Sequence, residues 1–204
     1  MASSNRRERH REQLRRRILT AAREVAVREG WHAVTIRKIA SRVEYSAPAI
    51  YEYFDSKEAL LVELAREGFR LLAAELRAAA TAVQRPEARL LALANAYWDF
   101  AWKHPELYQV MHGLGGVPFG PGTSSLEAVE VVTTTRGFVE EVLRASGAVG
   151  ADVDVATNLL LANLHGLISL AMAGRIPGDR QRGVALVKRI VGDFLAAWWL
   201  TKGR

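Results

Sequence analysis

The 204-residue chain contains no cysteine, so disulfides and thiolate metal sites are excluded. Its five histidines (His10, His32, His104, His112, His165) form no His-Glu-x-x-His pair, and no serine sits in a nucleophile elbow. The glycine-rich stretch Gly113–Gly122 lacks the Gly-Lys-Ser/Thr of a phosphate cradle and reads as a loop. These absences argue against an enzyme, a bound metal or a cofactor. No apolar run looks long enough to span a membrane, and the arginine-rich start has no apolar signal core. The expectation is a soluble, cytoplasmic protein. Strand-like alternation and internal repeats are missing too, which leaves helices.

Half of the residues are hydrophobic, enough for a real core, and the formal net charge is +6. The charge is unevenly placed. Residues 1–58 hold 13 Lys and Arg against 8 Asp and Glu, whereas the remainder holds 15 against 14. A basic N-terminal end is the electrostatic footprint of a protein that meets an anionic polymer.

Apolar spacing divides the chain into about nine helices. Residues 1–11, with Arg6, Arg7, Arg9 and Arg11 and no apolar partner, are expected to be a disordered basic arm. From Glu12 a helix carries Leu14, Ile18, Ala21, Ala22, Val25 and Ala26 at helical spacing, and Gly30 ends it. Ile36, Ile39, Ala40 and Val43 then mark a two-turn helix capped by Thr35. Ser46 caps a second short helix with Ala47, Ile50 and Phe54 inward and Pro48 in its first turn, where a missing N–H costs nothing. Helices this short need each other and a third, which is the build of a helix-turn-helix. Longer helices follow, opened by Asp55 or Ser56, by Pro86, and by Asp152 or Asp154, with a break at His104-Pro105. Thr133, Thr134 and Thr135 are a β-branched weak spot. The domains read as the arm, a helix-turn-helix head over 12–55 and a helical body over 56–204.

Ser46-Ala-Pro-Ala-Ile followed by Tyr51-Glu-Tyr-Phe-Asp-Ser-Lys-Glu-Ala-Leu60, together with the run from Ile18 to Gly30, resembles the DNA-binding domain of TetR-family transcriptional regulators. The resemblance implies that Arg37 reaches a guanine edge, and that Ala47, Pro48, Ala49 and Glu52 face the major groove. It places Thr35, Lys38, Ser46, Tyr51, Tyr53 and Lys57 at backbone phosphates, which set register but carry no sequence information. Two residues depart from the family pattern. Glu44 stands where the turn usually has glycine, and Tyr53 where histidine is commonest.

His165-Gly166, with Phe100-Ala-Trp-Lys-His-Pro-Glu-Leu-Tyr108, resembles the subgroup named for a Trp-His-Gly signature, although leucine stands at the tryptophan position. Gly166 is expected to permit a close helix contact. Trp98, Trp102, Tyr108, Met111, His165 and Met172 are candidates for an apolar effector cavity, and equally for plain core. The last two helices are apolar on more than one side. In the family they pair with their copies, which implies a homodimer through Leu160, Leu164, Leu167, Val187, Val191, Phe194 and Trp198.

The expected whole is a homodimeric repressor on a palindromic double-stranded operator, released by a small apolar or amphipathic effector. The alternative is a ligand-independent DNA-binding or architectural protein.

Overall fold

The computed structural model describes residues 2–117, 125–148, 150–178 and 180–199; of 2–5, 198 and 199 only the backbone is described. Among these residues are nine α-helices, one 3-10 turn and no strand. In chain order they are α1 (Ala2–Glu29), the turn Trp31–Ala33, α2 (Ile36–Val43), α3 (Ala47–Tyr51), α4 (Lys57–Thr81), α5 (Pro86–Lys103), α6 (Pro105–Met111), α7 (Leu126–Ser146), α8 (Val153–Met172) and α9 (Arg180–Trp199). The expected all-α architecture is observed.

The expected disordered arm is not. Helix α1 runs from Ala2 without interruption. Arg, Glu and Gln are good helix formers even without an apolar stripe, and Glu12 pairs with Arg16 one turn on at 2.9 Å.

The chain divides into two compact units, Met1–Gly68 with Pro105–Thr123, and Phe69–His104 with Ser124–Arg204. The first therefore takes in α6, which the sequence had assigned to the body. Its core is the α1 stripe (Leu14, Ile18, Ala22, Val25) against Ile36, Ile39 and Val43 of α2, Ile50 of α3 and Leu60 and Leu64 of α4. Helix α6 adds Leu107, Tyr108, Val110 and Met111, all buried. At Gly68 a Cβ would lie 2.5 Å from Met111 Sδ, so the approach of α4 to α6 requires glycine.

The second unit is built on α5, whose Leu90, Leu93, Ala94, Tyr97, Trp98 and Ala101 are buried as their spacing predicts, with Phe100 beside them. The three threonines of α7 do not break it. Thr133 and Thr135 turn their hydroxyls back on Val129 and Val131 carbonyls, each at 2.9 Å. Asp152, of the two candidates, caps α8, accepting from the backbone of Asp154 and Val155.

Helix α8 corrects two expectations. It is long and apolar enough, by length and composition alone, to cross a membrane. It also turns the expected dimer residues inward. Leu160, Leu164 and Leu167, with Val187 and Val191 of α9, are at most 8% exposed and pack in this chain's own core. Phe194 is half-buried, and the Trp198 side chain lies outside the described residues. The face left in the open is Val155, Leu159, Ala162 and Leu170 on α8, with Val184 and Gly192 on α9.

Candidate functional site

Helices α2 and α3 are built around two caps and one strained turn. Thr35 Oγ1 accepts from the Lys38 backbone N–H at 3.2 Å, and Ser46 Oγ accepts from that of Ala49 at 3.4 Å. Each hydroxyl keeps its own O–H free to donate outward. Between the helices Glu44 takes the left-handed conformation, φ 62° and ψ 42°. It is the one non-glycine residue with positive φ among those described. This αL residue lets Tyr45 N–H reach back to the Ala40 carbonyl at 3.0 Å and close the helix. Helix α1 backs the pair: Arg17 donates to the Val43 carbonyl at 3.1 Å, and Arg42 pairs with Glu24 at 3.3 Å. Ile50 and Phe54 anchor α3 from beneath.

The outward side chains follow from that anchoring. Arg37, Pro48, Tyr51 and Glu52 are exposed, and Ala47 and Ala49 are half-buried. No ion pair engages Arg37 among the described residues. Thr35 and Ser46 are exposed, while Tyr53 and Lys57 are half-buried. Lys38 is already committed: its ammonium pairs with Glu29, which holds that carboxyl below its ordinary pKa. A phosphate would have to displace Glu29 to use it. Ser56, rather than Asp55, caps α4 through the Ala59 N–H at 3.1 Å. Tyr53 has a neighbour that its spacing did not announce, the Arg11 guanidinium, 5.9 Å above its ring.

The expected effector residues do not all come together. Tyr108 and Met111 belong to the core of the first unit. In the second, Trp98 and Trp102 lie with ring centroids 5.5 Å apart and line a cavity of about 130 Å³ with Ala171, Ile176, Arg180 and Gly183. Trp98 Nε1 is buried with no hydrogen-bond partner among the described residues, and so is Asn95 Oδ1 one turn earlier on α5. Gly183 is indispensable here, since a Cβ on it would lie 2.0 Å from the Trp98 ring. Sequence spacing gave no sign of Gly183 or Asn95. His165 is half-buried on α8, its Nε2 3.2 Å from Ser169 Oγ, and burial pushes its pKa down. Met172 is half-buried. Gly166, expected at a close helix contact, faces open space.

A family model described as bacterial regulatory proteins, tetR family, matches residues 18–64, and one described as a tetracycline repressor-like C-terminal domain matches 90–194. The chain belongs to the TetR family. The second match is to a general C-terminal domain and does not extend to the Trp-His-Gly subgroup. As a family of regulators it stands apart from the enzymes, in line with the missing catalytic motifs. Among relatives, the transcriptional repressor KstR of Mycolicibacterium smegmatis is 36% identical over 97 residues, 48% of this chain and 48% of that protein. The transcriptional activator FasR of the same organism is 31% identical over 101 residues, 50% of this chain and 46% of that protein. This TetR-family chain thus spans about half the length of those curated relatives. A solved protein of unknown function from Rhodococcus sp. RHA1 is 27% identical with a TM-score of 0.74, covering 94% of this chain and 96% of that one.

Proposed function

We propose that this TetR-family protein is a cytoplasmic homodimer that binds a near-palindromic DNA operator as a repressor and leaves it when a small apolar or amphipathic molecule enters the second unit. The observation that carries the reading is the first unit's helix-turn-helix. Its inner side chains are fully buried, while Arg37, Tyr51 and the caps Thr35 and Ser46 stand exposed with donors to spare. In this reading Arg37 gives two hydrogen bonds to a guanine, Glu52 faces the groove, and Ala47, Pro48 and Ala49 offer apolar contact to thymine methyls. Thr35, Ser46, Tyr51, Tyr53, Lys57 and a released Lys38 hold phosphates.

The dimer is supported by the open α8 face (Val155, Leu159, Leu170), because an apolar stripe on a two-helix surface is normally covered. Two heads would then meet successive major grooves, about 34–36 Å apart. An effector acts only through its differential affinity for two arrangements of that dimer. Its candidate seat is the cavity beside Trp98 and Trp102, where the unpartnered Trp98 N–H would favour an acceptor on the ligand. The cavity's volume of about 130 Å³ favours the second reading, a ligand-independent DNA-binding protein. Ordinary ligand pockets hold roughly 300–1,000 Å³.

Selection of duplexes from a random library by the wild-type protein tests the function, followed by the same selection with Arg37→Ala and Glu52→Ala. Arg37→Ala should relax one guanine per half-site, worth about 1–3 kcal/mol, and Glu52→Ala should change little. Enrichment of no sequence at all by the wild type would sink the reading.

A further inference from the structure

The first turns of α1 contain a feature that the helix-turn-helix does not use. Arg6, Arg7, His10 and Arg11 fall at i, i+1, i+4 and i+5, so all four point to one side of the helix. With Glu52 and Tyr53, at the far end of the recognition helix, they line a groove of about 580 Å³. All four are exposed, and none has an ion pair among the described residues. Arg11 is anchored by its stem beside the Tyr53 ring, which holds the groove's base in a fixed relation to α3.

Elsewhere on the same helix arginines are matched to carboxylates. Arg15 pairs with Glu63 at 3.1 Å, Arg16 with Glu12 at 2.9 Å, and Arg23 with Glu67 and Glu106 at 3.0 and 2.8 Å. The Arg7–Arg11 pair, one turn apart, repels itself and weakens the helix that carries it. Within the protein only Glu52 faces this cluster, one carboxylate against three guanidinium groups. The missing counter-charge must come from outside. A groove open to solvent, long rather than enclosed and continuous with the recognition helix, suits a chain of anions better than a single one.

We propose that the N-terminal turns of α1 are a second DNA-contacting element, in which Arg6, Arg7 and Arg11 seat backbone phosphodiesters flanking the bases that α3 faces. The element lengthens the footprint and adds affinity without adding sequence preference, since phosphate contacts carry none. This inference rests on the DNA-binding reading above. It goes beyond that reading by giving the extension, and not the helix-turn-helix alone, a share of the backbone.

The test uses the full chain and a 40-base-pair duplex enriched from the random library, with binding followed by fluorescence anisotropy over a range of salt. Replacing Arg6, Arg7 and Arg11 by Ala should lower the slope of log K against log salt by about 0.9 for every phosphate lost per subunit. Hydroxyl-radical protection should retreat at the outer edges of the site, while the enriched sequence stays the same. Replacing the three by Lys should retain most of the slope. Far-UV circular dichroism separates loss of contact from loss of the helix, and the Lys variant keeps the question open to an answer even if the Ala variant unwinds. An unchanged slope and footprint in the Ala variant would overturn the proposal and leave the DNA-binding reading standing. A wild-type protein that binds no duplex even at low salt would overturn both.

Discussion

Arg23 of α1 holds the buried carboxylate of Glu106 of α6 by two hydrogen bonds to the same oxygen, from Nε at 3.1 Å and from Nη2 at 2.8 Å. Its third nitrogen reaches Glu67 of α4 at 3.0 Å, and the Glu106 carbonyl accepts from Trp31 Nε1 at 3.2 Å. A seven-residue helix is not stable alone. These bonds, with the apolar side of α6, hold it in the first unit. Arg23→Ala leaves a buried carboxylate without its cation and should destabilise the protein by about 3 kcal/mol, the lower end of the range for a broken buried pair. Arg23→Leu combined with Glu106→Leu should recover much of that loss. Urea melts of the three variants decide it; an Arg23→Ala variant as stable as wild type would show the pair to be ornamental.

Glu44 occupies a conformation that costs an ordinary L-residue about 1–2 kcal/mol and glycine nothing sterically. Part of the gain from Glu44→Gly is lost to the freer unfolded chain, by roughly 0.5–1 kcal/mol. The variant should therefore be more stable than wild type by about 0.5–1 kcal/mol, seen as a raised melting temperature. A lowered melting temperature would mean that the Glu44 side chain stabilises the turn in a way its geometry does not reveal.

Two substitutions separate the surfaces of the last two helices. Leu159→Asp changes a side chain 53% exposed, whereas Val191→Asp places a charge at a position 2% exposed. If the open face forms the dimer, Leu159→Asp should give well-folded monomers by sedimentation, and Val191→Asp should lose helicity as well as assembly. A wild-type protein that is already monomeric at micromolar concentration ends the dimer proposal.

His165 should make stability depend on pH in one direction. Burial lowers its pKa from the ordinary 6.5, so the folded state binds a proton less readily than the unfolded one. The contribution is fully present above pH 6.5 and is lost as the pH falls through the folded value. His165→Gln should flatten the melting temperature between neutral and mildly acid pH. An identical slope in the variant would assign it to other groups.

Much of this was readable from local patterns. The stripe Leu14, Ile18, Ala22 and Val25 declared the first helix, and Thr35, Ser46 and Asp152 declared starts, because caps and periodicity act over a few residues. What depends on distant partners was not. Glu106 reads as surface until Arg23, 83 residues away, is set beside it. Gly183 reads as a weak point in α9 until the Trp98 ring fills the space its side chain would need. Helix α8 is apolar on two sides, so periodicity showed that it has inner and outer faces without saying which was which. Leu160, Leu164 and Leu167 were assigned to the wrong one. The arginines of residues 6–11 lack an apolar stripe, and a helix without one leaves no periodic trace.

The first unit is not a continuous length of polypeptide: it is residues up to Gly68 and a later return from Pro105 to Thr123. Modular engineering meets a topological obstacle here. A head grafted onto a different body by a single cut after Gly68 would arrive with Arg23 and Trp31 facing an empty slot where Glu106 belongs. Exchange of specificities between relatives therefore needs two splice points, or a recipient whose own sixth helix offers a carboxylate at the matching place.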